Sequence, residues 1–150
     1  MRIVIQRVTQ ASVSVEPDYV RSIGKGLMIL VGVERGDTAD DIEYAARKTT
    51  MLRVFNDEAG VMNRSVTEID GELLAISQFT LLASTRKGNR PSYLRSAGGD
   101  EARNLYEAYC RRLAELAGRE VKQGIFGADM AVELINDGPV TIIIDSRLSE

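Results

Sequence analysis

The sequence contains no histidine and no tryptophan, and Cys110 is its only cysteine. Each absence removes a class of chemistry. Without histidine there is no Ser-His-Asp or Cys-His relay, no imidazole ligand for zinc and no histidine-held haem. One cysteine builds no disulfide framework, and it fits a reducing compartment. A metal site would have to be all oxygen, and no Asp/Glu run has EF-hand spacing, so the reading is no metal and no cofactor. No apolar run approaches the roughly 20 residues that a membrane span needs. The start, Met1-Arg2-Ile3-Val4-Ile5-Gln6-Arg7, lacks a signal-peptide profile. The expectation is a soluble cytoplasmic protein with no membrane partner. In an enzyme of this composition, proton transfers fall to Asp, Glu, Lys, Tyr, backbone or substrate.

At 150 residues and 44% apolar composition the chain can bury one real core. No repeat, low-complexity tract or linker divides it, so residues 1–150 read as a single domain. The net charge of −3 argues against general nucleic-acid binding, but the charge is uneven. Between Leu73 and Gly99 there is no acidic residue, while Arg86, Lys87, Arg90 and Arg95 all fall there, a local +4 against −7 for the rest. A basic stretch on an acidic body suggests one anionic ligand held at one place.

Alternation of Ile3, Ile5, Val13 and Val15 with polar neighbours predicts one or two half-buried strands over residues 2–15, followed by a turn at Glu16-Pro17-Asp18 and a return over Tyr19–Ile23. The run Leu27–Val33 has no polar member and reads as a strand buried on both faces. Asp37-Thr38-Ala39-Asp40-Asp41 is an N-cap cluster, and Ile42, Ala45, Ala46, Thr49 and Leu52 trace one helical face behind it. A short strand at Arg53-Val54-Phe55, a polar turn and a strand running from Leu73 through Leu82 follow. The basic segment is loop. A second helix starts near Asp100, buries Ala102, Leu105, Tyr106, Tyr109, Leu113 and Leu116, and stops at Gly118. Strands are expected at Val121–Phe126, Met130–Ile135 and Val140–Asp145, with Asp137-Gly138-Pro139 turning between the last two. The class is α+β: a mostly antiparallel, barrel-like sheet covered by two helices.

Three segments could carry chemistry. Ser77-Gln78 interrupts an apolar strand, with Thr80 on the same face as Gln78 if the strand continues. Either these groups bond neighbouring backbone at a strand end, or they form the polar floor of an apolar pocket. Asn136-Asp137-Gly138-Pro139-Val140-Thr141 is either an ordinary hairpin turn or a rigid recognition element, since a cis Gly138-Pro139 bond would orient neighbouring carbonyls for chiral selection. Thr85 to Tyr93 is either a solvated loop or a phosphate-holding, base-stacking one. Phe126-Gly127-Ala128-Asp129-Met130 is core or pocket wall, and Cys110 sits inert on a helix stripe.

Together, Ser77-Gln78-Phe79-Thr80-Leu81 and Gly138-Pro139-Val140-Thr141 resemble the paired motifs of the D-aminoacyl-tRNA deacylases. Ile5-Gln6-Arg7-Val8, Lys25-Gly26-Leu27, Thr85–Ser92 and Phe126–Met130 match at family-like positions, so the resemblance covers nearly the whole chain. Tyr93 stands where the family pattern has phenylalanine, and Glu16-Pro17-Asp18 replaces a plainer turn. The resemblance implies a homodimer that hydrolyses the ester of D-aminoacyl-tRNA, and of glycyl-tRNA, including glycine misloaded on alanine tRNA. It implies a cis Gly138-Pro139 pair that enters the partner's active site, where its carbonyls hold the amino group and exclude L side chains. Ser77, Gln78, Phe79 and Thr80 would line the catalytic wall, with Val140, Thr141 and Met130 on the selecting side. Arg86, Lys87 and Arg90 are candidates for the acceptor-end phosphates. With no histidine to activate Thr80, the expected mechanism uses the 2′-hydroxyl of the terminal ribose, with backbone N–H groups near Gln78 and Phe79 stabilising the oxyanion. The alternative is a non-catalytic RNA-binding module, which would keep the basic segment without needing the Gly138-Pro139 pair.

Overall fold

The computed structural model describes residues 1–149. Its spine is the first strand, β1 (Arg2–Val15). On one edge β1 pairs antiparallel first with β3 (Gly26–Gly32), from Arg2↔Gly32 to Val8↔Gly26, and then with β2 (Tyr19–Ile23), from Ala11↔Ile23 to Val15↔Tyr19. Along its other edge runs the last strand, β8 (Ala131–Asp145), antiparallel from Arg2↔Asp145 to Ser14↔Ala131. Beyond β3 lie β6 (Glu72–Ser77) and β7 (Val121–Gln123), both joined in parallel. The sheet is therefore mixed, where the sequence pattern suggested a mostly antiparallel one, and it curves into a nearly closed barrel. The parallel pairs arise because helical segments, α1 (Ala39–Met51) and α2 (Gly99–Ala117), separate those strands in the chain and act as crossovers. A two-stranded ribbon of β4 (Phe55–Asn56) and β5 (Met62–Arg64) lies apart.

Strand periodicity distributes the core over both faces. In β3 and β6, Leu27, Ile29, Val31, Leu73 and Ala75 face the helices, while Met28, Leu74 and Ile76 join Val8, Ala11, Val13 and Ile23 in a second cluster on the opposite face. The uninterrupted apolar run at 27–33 is thus a strand covered on both sides, as its composition requires. Gly26 belongs to the same packing: an added Cβ would fall 1.9 Å from the Glu72 carbonyl oxygen, so only glycine lets β3 approach β6 there.

Both helices start and stop where their end residues direct. The Asp41 carboxylate accepts the Thr38 N–H at 2.8 Å, closing the first turn of α1. Gly118 ends α2 at φ +65°, its N–H donating to the Ala114 carbonyl. Tyr109 is buried where α2 crosses α1 and shares a hydrogen bond with Thr49 Oγ1 at 2.9 Å, while the Tyr106 hydroxyl donates to the Ala75 carbonyl of β6 at 3.0 Å. Burial pushes both phenols upward in pKa and the neighbouring Cys110 thiol up to about 12, which leaves that thiol inert. Among the described residues, no helix is long and apolar enough to cross a membrane.

The two ends of the chain are tied side by side. Arg2 donates from Nε and Nη2 to Asp145 Oδ2 at 3.0 and 2.8 Å. Burial by itself would raise the Asp145 pKa, but the Arg2 hydrogen bonds and the Arg147 backbone N–H outweigh it and hold the carboxyl below its ordinary value. A carboxylate with a lowered native pKa stabilises the fold fully above the unfolded value of about 3.9, and this contribution is lost as pH falls through the native one. Asp145→Asn should therefore cost about 2 kcal/mol at pH 7 and flatten the fall of Tm below about pH 4, measured by thermal unfolding across pH.

Candidate active site

Because β3 and β6 are parallel neighbours, their carboxyl ends lie at one edge of the sheet, and the chain leaving β6 turns there under the start of α2. Ligand crevices form at such carboxyl edges. A cleft of about 500 Å³ opens at this point. Val31 and Val33 leave β3 along one side, Ile76 to Phe79 form the floor, Ala97 to Gly99 and Ala102 bring in the head of α2, and Phe126 to Met130 make the far wall. Asp129 is the only ionisable residue among those lining it.

The floor differs from the extended strand expected through Leu82. The strand ends at Ser77, and Phe79–Leu82 is a single 3-10 turn. The Gln78 N–H still donates to the Val31 carbonyl at 2.8 Å, as a strand residue would, and then the Leu81 N–H closes back on the Gln78 carbonyl at 3.2 Å. Gly32 makes room for this turn, since an added Cβ would sit 3.1 Å from Leu81 Cβ and 3.2 Å from the Gln78 oxygen. Two expectations change as a result. The Gln78 amide is already spent on Val31, whereas the Phe79 and Thr80 amides precede the first bond closed within the turn and have no backbone partner among the described residues. Gln78 and Thr80 meet through the turn rather than across a strand face, with Gln78 Nε2 donating to Thr80 Oγ1 at 2.5 Å. Ser77, Gln78, Phe79 and Met130 all line the cleft; Thr80 is not among the lining residues, and its N–H belongs to the peptide unit it shares with Phe79. Among the described residues, no carboxylate or amine lies within hydrogen-bond reach of the Thr80 hydroxyl, so it has no base to make it a nucleophile. Among the described residues, no group of three Asp, Glu or Cys is placed to hold a metal ion.

Gly138, Pro139, Val140 and Thr141 do not line this cleft. Nor do they form the expected hairpin turn. The segments on both sides of them pair with β1, because β1 is long enough to template both, and β8 continues through. Gln6 pairs with Thr141 and Val8 with Asn136, so Asp137–Val140 bulge out opposite Arg7 alone. Asn136 closes the neck of the bulge, its Nδ2 donating to the Arg7 and Val140 carbonyls at 3.0 Å each. The Gly138-Pro139 bond at its tip is cis. Proline is tolerated here because, among the described residues, the outer edge of β8 carries no partner strand.

Sequence reasoning treated Arg7 only as a match to the family pattern, yet it supports the bulge from beneath. It is 7% exposed. Its Nε donates to the Asp137 carbonyl at 3.1 Å and pairs with Asp137 Oδ2 at 3.2 Å, while Nη1 donates to the Val54 carbonyl at 2.5 Å. Gly138 has φ +123°, a conformation that favours glycine, and an added Cβ there would lie 2.7 Å from Arg7 Nη2 and so would displace the guanidinium beneath the bulge. An arginine at an inward-facing strand position was the available signal, because a buried guanidinium needs several acceptors.

The basic residues share one cleft. Arg86, Lys87 and Arg90 line a second cleft of about 540 Å³ with Ser84, Ser92, Leu94 and Arg95. The first three are exposed and, among the described residues, free of ion pairs, whereas Arg95 is tied to Glu34 at 2.9 Å. Phe79 of the first cleft also belongs to an aromatic pair with Tyr93, which lies between Ser92 and Leu94 of the second. Phe79, 55% exposed, meets Tyr93 edge-on with centroids 5.0 Å apart.

Replacing Arg7 with alanine removes its hydrogen bonds and leaves Asp137 without its counter-charge. The expected result is a loss of about 2–4 kcal/mol, with faster amide exchange concentrated at Asn136–Thr141, and Arg7→Lys should recover only part of it. Hydrogen exchange with thermal unfolding checks both.

The whole chain is similar to known proteins. A curated D-aminoacyl-tRNA deacylase of Parabacteroides distasonis is 56% identical over 150 residues, covering 100% of both chains. A solved structure described as a c-Myc DNA unwinding element binding protein superposes with a TM-score of 0.90 at 38% identity, over 97% of this chain and 98% of that one. A probable eukaryotic D-amino acid tRNA deacylase shares the fold, with a TM-score of 0.80 at 18% identity over 95% and 97% of the two chains. The family model for D-Tyr-tRNA(Tyr) deacylase matches residues 4–145. The chain belongs to the D-Tyr-tRNA(Tyr) deacylase family.

Proposed function

We propose that this protein hydrolyses the ester joining a D-amino acid to tRNA, and that it acts in the same way on glycyl-tRNA, including glycine misloaded on alanine tRNA. The observation that carries the reading is a division of parts. The cleft has an apolar wall and backbone donors but no acid–base pair, while Gly138 and Pro139 of the bulge are exposed and are not among the residues that line it. Each is incomplete alone. A homodimer completes both, with Gly138 and Pro139 of the partner subunit entering the cleft and holding the substrate amino group by main-chain oxygens. An L side chain would then meet backbone. Ile135 and Ile143, 53% and 62% exposed on the same strand as Pro139, supply the apolar flanks that such an interface needs.

The chemistry follows from what the cleft contains. The aminoacyl ester is already activated, and the 2′-hydroxyl of the terminal ribose lies beside the scissile carbonyl. That hydroxyl assists the attacking water, and the Phe79 and Thr80 amides receive the developing oxyanion. The acceptor-end phosphates lie in the basic cleft against Arg86, Lys87 and Arg90, with the Phe79–Tyr93 aromatic pair between RNA body and ester. In the alternative reading as an RNA-binding module, the basic cleft remains and no ester is cleaved.

Release of D-tyrosine from D-tyrosyl-tRNA, with L-tyrosyl-tRNA spared, tests the reading directly, and no release from either substrate would favour the binding module. Thr80→Ala should keep at least about a tenth of wild-type kcat. A substrate ending in 2′-deoxyadenosine should lose roughly 100-fold or more, the scale of lost general-base assistance. Complete inactivity of a folded, tRNA-binding Thr80→Ala protein would overturn the substrate-assisted step. Neutralising Arg86, Lys87 and Arg90 together should raise KM about tenfold at low salt and reduce the slope of log KM against log salt, with kcat little changed.

A further inference from the structure

We infer that Ser96 is a positioning residue for the reactive wall, aiming the Phe79–Thr80 peptide through a hydrogen bond to the Phe79 carbonyl. This rests on the deacylase reading above. Ser96 is 8% exposed, and its Oγ donates to the Phe79 oxygen at 2.9 Å. The Phe79–Thr80 peptide is trans, so its C=O and N–H point in opposite directions in one plane. Holding the carbonyl from one side therefore fixes the direction of the Thr80 N–H on the other. A short 3-10 turn has weak internal bonds, so an external hydroxyl has real leverage over that plane.

The segment that carries Ser96 is itself held firmly. The Ser96 N–H donates to the Tyr93 carbonyl at 3.0 Å, the Ala97 N–H to Val33 at 2.9 Å, and the Arg35 N–H to Arg95 at 2.9 Å. Arg35 Nε also donates to the Ser96 carbonyl at 3.1 Å. The same segment grips Phe79 a second time, through the Tyr93 ring. It lines both clefts as well: Ser92, Leu94 and Arg95 face the basic one, and Ala97 faces the reactive one. One short strap thus joins the surface proposed for RNA phosphates to the peptide proposed for the oxyanion. A hydroxyl that merely satisfied its own hydrogen-bonding need would leave kcat alone.

The experiment compares wild type with Ser96→Ala and Ser96→Thr on D-tyrosyl-tRNA, alongside the Thr80 amide resonance and its exchange rate. Ser96→Ala should lower kcat about tenfold with KM within about twofold, because an oxyanion donor is misaimed rather than deleted. Its Thr80 amide should shift and exchange faster, and Ser96→Thr, which keeps the hydroxyl, should restore both. An unmoved Thr80 amide overturns the inference, and so does a loss confined to KM or one that Thr fails to restore while Tm is unchanged. If Thr does not fit the buried site, the amide measurement on Ser96→Ala decides. If wild type releases no amino acid, the deacylase reading fails, and the Thr80 amide still decides what Ser96 does.

Discussion

The ladder between β1 and β8 is the constraint on which the rest of the structure depends. Pairing the first strand with the last, from Arg2↔Asp145 to Ser14↔Ala131, brings residues from opposite ends of the chain into one sheet. That closure curves the sheet and covers the second apolar cluster with Met130, Val132 and Leu134. It also sets the register against which β8 has surplus residues. With Gln6 and Val8 both paired, Asp137–Val140 have nowhere to go but outward. The bulge is a consequence of two long strands of unequal local length, and Arg7 fills the space beneath it.

A second consequence concerns the cleft. β3 and β6 reach the same edge only because α1 intervenes as a crossover, and α2 begins at that edge because the chain leaving β6 crosses it by the Ser92–Ala97 strap. Backbone groups at strand ends and turn starts are the polar groups that such an edge offers. A chain without histidine can build a reactive surface there, since oriented amides need no titratable side chain.

How much of this was legible depended on how local each signal was. Thr38, Gly118 and the stripe of Tyr106, Tyr109 and Leu113 placed both helices, because caps and 3.6-residue periodicity are properties of a few neighbouring residues. The two-faced burial of β3 followed from its unbroken apolar run. Residues 78–82 did not read correctly: their apolar character continues the strand pattern, whereas the turn that forms there depends on close packing against Gly32, a residue distant in the chain. Asp137-Gly138-Pro139 carried a hairpin signal, yet the partner of both flanks is β1, far away in sequence. Arg7 and Ser96 looked ordinary because their roles lie entirely in what they touch.

The sequence by itself determined the class, the two helices, the basic stretch and the exclusion of histidine and disulfide chemistry, since these follow from composition and near-neighbour periodicity. Its motif pair also pointed to the family. Only the tertiary structure decided which strands run parallel, that Gly138-Pro139 rides on a bulge rather than a hairpin, and which amides of the 77–80 segment remain free. Those facts depend on pairing and packing between residues distant in the chain, and local propensity does not encode register.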